Sequence, residues 1–118
     1  MLLWSSEDAL CPPDQDLLAR RAESVVVSAV SIWEIEIKRA AGRLAAPVDV
    51  LEMVEQAGFD RLQITCEHAV EAGRLPPHHR DPFDRMLVAQ ARLEGLTLAT
   101  SDPQLARYDV ATRAIARL

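Results

Sequence analysis

Apolar and polar positions alternate along this chain in two different periods, and the changes of period mark its elements. Val25 to Val30 is a β-branched, apolar run, the pattern of a strand buried on both faces. Ser31 to Ala41 follows with helical spacing. Trp33, Ile37, Ala40 and Ala41 fall on one face, Glu34, Lys38 and Arg39 lie off it, and Gly42 ends it. Pro47 to Ala57 predicts another helix, with Pro in its first turn and Gly58 as its stop. Leu62 to Ile64 predicts a short strand, Glu67 to Ala72 a short helix capped by Thr65, and Pro82 to Glu94 a long helix closed by Gly95. Leu96 to Thr100 predicts a strand, Pro103 to Arg107 a short helix, and Val110 to Ile115 a last edge strand. Upstream, Asp14 to Glu23 predicts a helix entered after Cys11-Pro12-Pro13. Strands that alternate with helices need crossovers, which predicts an α/β fold with a parallel sheet.

The opening of the chain breaks this scheme. Met1-Leu2-Leu3-Trp4 supplies no recognisable first strand, so the sheet is expected to be one central strand short. The length of 118 residues suits one domain, residues 1–118, incomplete at its N-terminal end on this reading. No apolar run approaches the roughly 18 residues that a membrane span needs, and no basic-then-apolar leader opens the chain. Cys11 and Cys66 are too few for a disulfide framework and lack metal spacing. A reducing, cytoplasmic setting with two buried, inert thiols is expected. The formal net charge of −5 argues against passive nucleic-acid binding, which relies on Lys and Arg. It does not argue against a metal-dependent enzyme acting on nucleic acid, where a cation offsets the local acidity. Aromatic residues at 4% argue against a base-stacking platform.

The acidic residues change the picture most. Ligands of open α/β sheets gather outside the carboxyl ends of the strands. Glu34 and Asp102 fall just past two such ends, and Asp81 and Asp84 open the long helix. Carboxylates collected at one edge repel one another, and a divalent cation with oxygen ligands is the usual remedy. Each acid also has an ordinary structural account. Ser31-Ile32-Trp33-Glu34 fits a capping box, and Asp81-Pro82 and Asp102-Pro103 fit an N-cap followed by Pro. Asp84 suits the positive end of its helix. Spacing alone leaves both accounts standing. His78 and His79 follow Pro76-Pro77 without zinc spacing, and are read as loop residues near the site rather than ligands. Lys38, Arg39 and Arg43 are read as a solvated face rather than a phosphate grip. Ser28 and Ser31 lack a triad partner, and no glycine-rich phosphate loop is present.

Three segments carry a family resemblance. They are Val27-Ser28-Ala29-Val30-Ser31-Ile32-Trp33-Glu34-Ile35-Glu36-Ile37-Lys38, then Leu75 to Ala91 with His79-Arg80-Asp81-Pro82-Phe83-Asp84-Arg85 inside it, then Leu96-Thr97-Leu98-Ala99-Thr100-Ser101-Asp102. Together they resemble the PIN domain, and within it the VapC-type toxins of bacterial toxin–antitoxin pairs. The resemblance implies a three-layer α/β/α sandwich around a parallel sheet and a Mg²⁺- or Mn²⁺-dependent ribonuclease that hydrolyses phosphodiesters. By residue, it implies Glu34, Asp84 and Asp102 as catalytic metal-holding acids, with Asp81 as a further neighbour of the metal. It also implies an RNA substrate, a homodimer, and a cognate antitoxin that blocks the acidic site.

One departure accompanies the match. The family's first strand ends in an Asp within a motif like Leu-Leu-Asp-Thr-His-x-Leu-Leu-Trp. Here Leu2-Leu3-Trp4 matches only the end of that motif. This leads to the expectation of a reading frame that begins upstream, a Val codon at x having been read as Met1. The competing expectation is a truncated, catalytically inactive PIN-like module that only binds an antitoxin or a dimer partner.

Overall fold

The computed structural model describes residues 2–4, 25–42, 49–100 and 102–114. Five strands form one sheet: β1 (Leu2–Trp4), β2 (Val25–Ser28), β3 (Asp60–Leu62), β4 (Thr97–Thr100) and β5 (Thr112–Ala114). Their order is β3-β2-β1-β4-β5, and every pairing is parallel. Four α-helices accompany them among the described residues: α1 (Ala29–Ala40), α2 (Val50–Gln56), α3 (Cys66–Arg74) and α4 (Pro82–Glu94). A 3₁₀ helix, Pro103–Arg107, follows β4. Among the described residues, no helix is long and apolar enough to cross a membrane.

The two-residue period of the strands builds the layers. Val25 and Val27 face one cluster with Ile35, Val50 and Val54 from α1 and α2. Val26, Leu3 and Leu98 face a second cluster with Leu87, Val88 and Ala91 from α4 and with Leu105. Helices therefore cover both faces of the sheet, the α/β/α sandwich expected from the sequence.

The central place of the sheet, expected to lack a strand, is taken by Leu2–Trp4. These residues pair with Val25, Val26 and Val27 on one side and with Thr97, Leu98 and Ala99 on the other. Two parallel strands flanking a gap would leave rows of backbone N–H and C=O groups unmet. Three apolar residues suffice to meet both rows, and Leu3 is fully buried between them. The strand is only three residues long and carries no acid.

Several boundaries differ from expectation, each for a local reason. β2 ends at Ser28 rather than Val30, because the Ser28 hydroxyl accepts the Val30 N–H at 3.1 Å and caps α1. Ser31 and Glu34 therefore lie inside the helix, and the expected capping box is absent. The buried face of α1 is Val30, Ser31, Glu34 and Ile35. The expected apolar face is turned outward, with Trp33 57% and Ile37 42% exposed. β3 lies two residues earlier than expected, where Asp60, Arg61 and Leu62 pair with Val26, Val27 and Ser28. As an edge strand it bonds through its backbone and needs no apolar run, which is why Leu62 to Ile64 misled.

α2 begins after Asp49, whose side chain accepts the N–H groups of Leu51 and Glu52. α3 is longer than expected, with the predicted Thr65 cap. Cys66 is exposed rather than buried. α4 has the expected bounds, from the Asp81 cap to Gly95, whose φ of 66° suits glycine at a helix end. The expected helix Asp14 to Glu23, with Cys11, Arg43, Pro47 and Ile115, falls outside the described residues.

A buried polar chain joins β2 to α3 and α4. Ser28 Oγ donates to Gln90 Oε1 at 2.5 Å, and Gln90 Nε2 donates to the Gln63 carbonyl at 3.4 Å and to His68 Nδ1 at 3.3 Å. His68 Nδ1 also accepts the Thr65 N–H at 3.1 Å, so the ring proton belongs on Nε2, 2.8 Å from Glu94 Oε1. Gln90 is fully buried. Gln90→Ala removes a shared partner of these groups and is expected to lower unfolding stability by about 2 kcal/mol. Urea denaturation checks this; an unchanged midpoint would show that the chain is not needed for stability.

Candidate functional site

The strand order reverses direction between β1 and β4, since β2 and β3 lie on one side of β1 and β4 and β5 on the other. Such switch points open a crevice at the carboxyl ends of the strands. Asp102 lies just past the carboxyl end of β4, and its N–H donates to Thr100 Oγ1 at 3.0 Å. Its two oxygens divide their work. Oδ1 accepts the Gln104 N–H at 2.9 Å and caps the 3₁₀ helix, while Oδ2 lies 3.0 Å from His79 Nε2. Asp102 thus caps the 3₁₀ helix with one oxygen and faces His79 with the other.

Asp84 comes from the first turn of α4 and is fully buried. Asp81 sets the start of that helix: its Oδ1 accepts the Phe83 N–H at 2.8 Å and the Asp84 N–H at 3.5 Å. The helix N-terminus favours the negative charge of Asp84. Asp84 Oδ2 lies 3.2 Å from the same His79 Nε2. One ligand-capable atom each from His79, Asp84 and Asp102 therefore falls within 4.8 Å of the others.

His79 was assigned to the loop beside the site, and the structure brings it into the group. Its backbone N–H donates to Tyr108 Oη at 2.9 Å, and its Nδ1 accepts the Asp81 N–H at 3.0 Å. The Arg85 guanidinium donates to the carbonyls of Ala72 (2.9 Å), Leu75 (3.0 Å), Pro76 (3.1 Å) and His79 (3.4 Å). That staple holds the loop between α3 and α4 against the start of α4. His78 packs its ring edge-on to Tyr108 at 5.1 Å instead. The signal in sequence was the short step from His79 to Asp81, which allows a ring nitrogen to meet a backbone N–H two residues on.

Glu34 is buried in α1, and its Oε1 lies 3.3 Å from Lys38 Nζ one turn later. Lys38 thus pairs with a buried acid rather than serving only as a solvated face. Glu34 is outside the group formed by His79, Asp84 and Asp102. Its neighbour Trp33 stacks edge-on against Phe83, the neighbour of Asp84, with ring centroids 5.0 Å apart. This contact couples the helix of Glu34 to the helix of Asp84. Asp81 is also outside the group; its carboxylate caps α4. Among the sequence-predicted acids, the structure joins Asp84 to Asp102.

Two carboxylates gathered at the edge of a parallel sheet offer oxygen donors that suit a divalent cation, with an imidazole beside them. The fold and this site define an α/β/α sandwich protein with an acidic centre at its carboxyl edge. The family model described as PIN domain matches residues 12–111, and the chain belongs to the PIN domain family. Solved structures share the fold. VapBC2 from Rickettsia felis, bound to a DNA fragment from its promoter, is 12% identical with a TM-score of 0.67, covering 96% of this chain and 97% of that chain. DNA-bound VapBC from Salmonella typhimurium is 15% identical with a TM-score of 0.67, covering 96% of each chain. A toxin–antitoxin complex from Klebsiella pneumoniae is 14% identical with a TM-score of 0.60, covering 100% of this chain and 98% of that chain. No curated protein matches the chain by sequence.

Proposed function

We propose that this chain is a divalent-metal-dependent endoribonuclease, the toxin of a cytoplasmic toxin–antitoxin pair. The observation that carries this reading is the meeting of the Asp84 and Asp102 carboxylates at the carboxyl edge of a PIN fold. Asp84 and Asp102 would hold Mg²⁺ or Mn²⁺, with Glu34 as the further acid from α1. When bound, such an ion lowers the pKa of a coordinated water and offsets charge on phosphate oxygens. The chain's own contribution is to collect the acids, bury Asp84, and fix the loop that leads into α4. Two observations support an antitoxin and a second copy as partners. A protein of this fold is a toxin–antitoxin complex, and Trp33 and Ile37, one turn apart on α1, leave an apolar strip exposed.

A second reading has an observation of its own. The central strand β1 is Leu2-Leu3-Trp4 and carries no acid, whereas the family resemblance gives its first strand one, which favours a binding module without catalysis. Incubating the chain with RNA and Mn²⁺, with and without EDTA, separates the two. Fragments that form with Mn²⁺ and vanish with EDTA are expected. Intact RNA beside a chain that still captures its antitoxin would establish the second reading.

A further inference from the structure

The ring of His79 touches both acids of the site, and its own hydrogen bonds assign what it does there. Nδ1 accepts the Asp81 N–H at 3.0 Å, so that nitrogen presents a lone pair. The ring proton then belongs on Nε2, an assignment that follows from the bonding pattern. Nε2 hydrogen-bonds Asp102 Oδ2 at 3.0 Å and lies 3.2 Å from Asp84 Oδ2, so its N–H is bonded to one carboxylate and stands within ion-pair distance of the other. A nitrogen that ligates a metal must offer a lone pair, and this one offers a proton. The loop backbone holds the arrangement from both sides, through the His79 N–H on Tyr108 Oη and Arg85 on the His79 carbonyl.

We infer that His79 is a positioning residue rather than a metal ligand. Its Nε2–H draws the Asp84 and Asp102 carboxylates together in the metal-free protein and competes with an entering divalent cation for the same oxygens. This inference rests on the metal-dependent reading above. The physical reason is charge. Two carboxylates this close repel, and the burial of Asp84 weakens screening by water. A polarised N–H bonded to one and standing beside the other reduces that repulsion, and a cation reduces it more. The tautomer is set by a backbone N–H two residues away. Asp81 thus acts on the site through its main chain, while its carboxylate caps α4.

Calorimetric titration with Mn²⁺ tests this on the wild type, His79→Ala and His79→Gln, together with melting in EDTA. A Gln amide places a donor near the position of Nε2. His79→Ala is expected to bind Mn²⁺ about tenfold more tightly, the equivalent of one charge-assisted hydrogen bond no longer displaced. It should also melt below the wild type in EDTA, and His79→Gln should restore both properties. Weaker Mn²⁺ binding by His79→Ala would make the ring a ligand and overturn the inference, as would unchanged binding in both variants. If the wild type binds no Mn²⁺, the metal-dependent reading fails. The clamp is then decided by melting in EDTA, where equal midpoints overturn it and a loss restored by Gln upholds it. The ¹⁵N spectrum of the wild-type ring gives a test that needs no variant: a proton on Nδ1 instead of Nε2 would overturn the assignment.

Discussion

Replacing Asp84 by Asn is expected to cut metal-dependent RNA cleavage by on the order of a thousandfold, the several kcal/mol that a cation supplies to such a reaction. The change keeps the shape of the side chain and removes its charge. α4 should still start at the same place, because its cap is the carboxylate of Asp81 rather than that of Asp84. Melting curves of the two proteins check this. Asp102→Asn is expected to act in the same direction. Its Oδ1 position remains an acceptor for the Gln104 N–H, so the 3₁₀ cap survives while the site loses a charge. Glu34→Gln is expected to have a smaller effect, since Glu34 is engaged with Lys38 and stands outside the closest group. On the proposed reading, all three variants should relieve growth inhibition in cells that express the protein. Undiminished cleavage by Asp84→Asn and Asp102→Asn in vitro would remove the shared site.

The contrast between Asp84 and Asp81 shows what the sequence could and could not convey. Both acids open the same helix, and capping preference applies to both. Only the three-dimensional path of the loop after α3 decides which one turns inward, and that path depends on His79 and Arg85 nearby and on Tyr108, which is distant in sequence. The long helix α4 was legible because its cap, its apolar stripe and its closing glycine agree. The parallel order was legible because strands and helices alternate. α1 was misread because its two faces are both partly apolar. Trp33 and Ile37 look like core by spacing, yet burial falls on Ser31 and Glu34, whose side chains a period count scores as polar. β1 was missed because three residues are too short for any period, and what makes Leu2–Trp4 a strand is the pair of strands on either side. His78 and His79 were both placed in the loop near the site, and what spacing could not convey is that they part: one ring packs on Tyr108 and the other stands between Asp84 and Asp102.

Arg85→Ala, in the first turn of α4, is expected to destabilise the protein more than any change within the loop that carries His79. The guanidinium spans four carbonyls, those of Ala72, Leu75, Pro76 and His79. Two of these belong to the C-terminal end of α3 and its cap, where a cation also opposes the helix dipole. Hydrogen bonds from a charged donor contribute about 1.5–3 kcal/mol each, but four bonds from one group are not additive. A net loss of about 3 kcal/mol is the reasonable figure, and in a domain of this size it lowers the melting midpoint by roughly 10 °C. Arg85→Lys should recover only part of it, because an ammonium is a point donor and cannot reproduce a planar fork. Below the melting range the two variants should still cleave RNA more slowly than the wild type, since the loop that presents His79 to Asp84 and Asp102 has lost its staple. Melting and cleavage measured together separate this role from a direct grip on substrate phosphate. A variant that melts like the wild type but binds RNA more weakly would move Arg85 from the scaffold to the substrate. The expected pattern, lost stability with Lys as a partial rescue, would instead make the Arg that follows Asp84 the residue that builds the site.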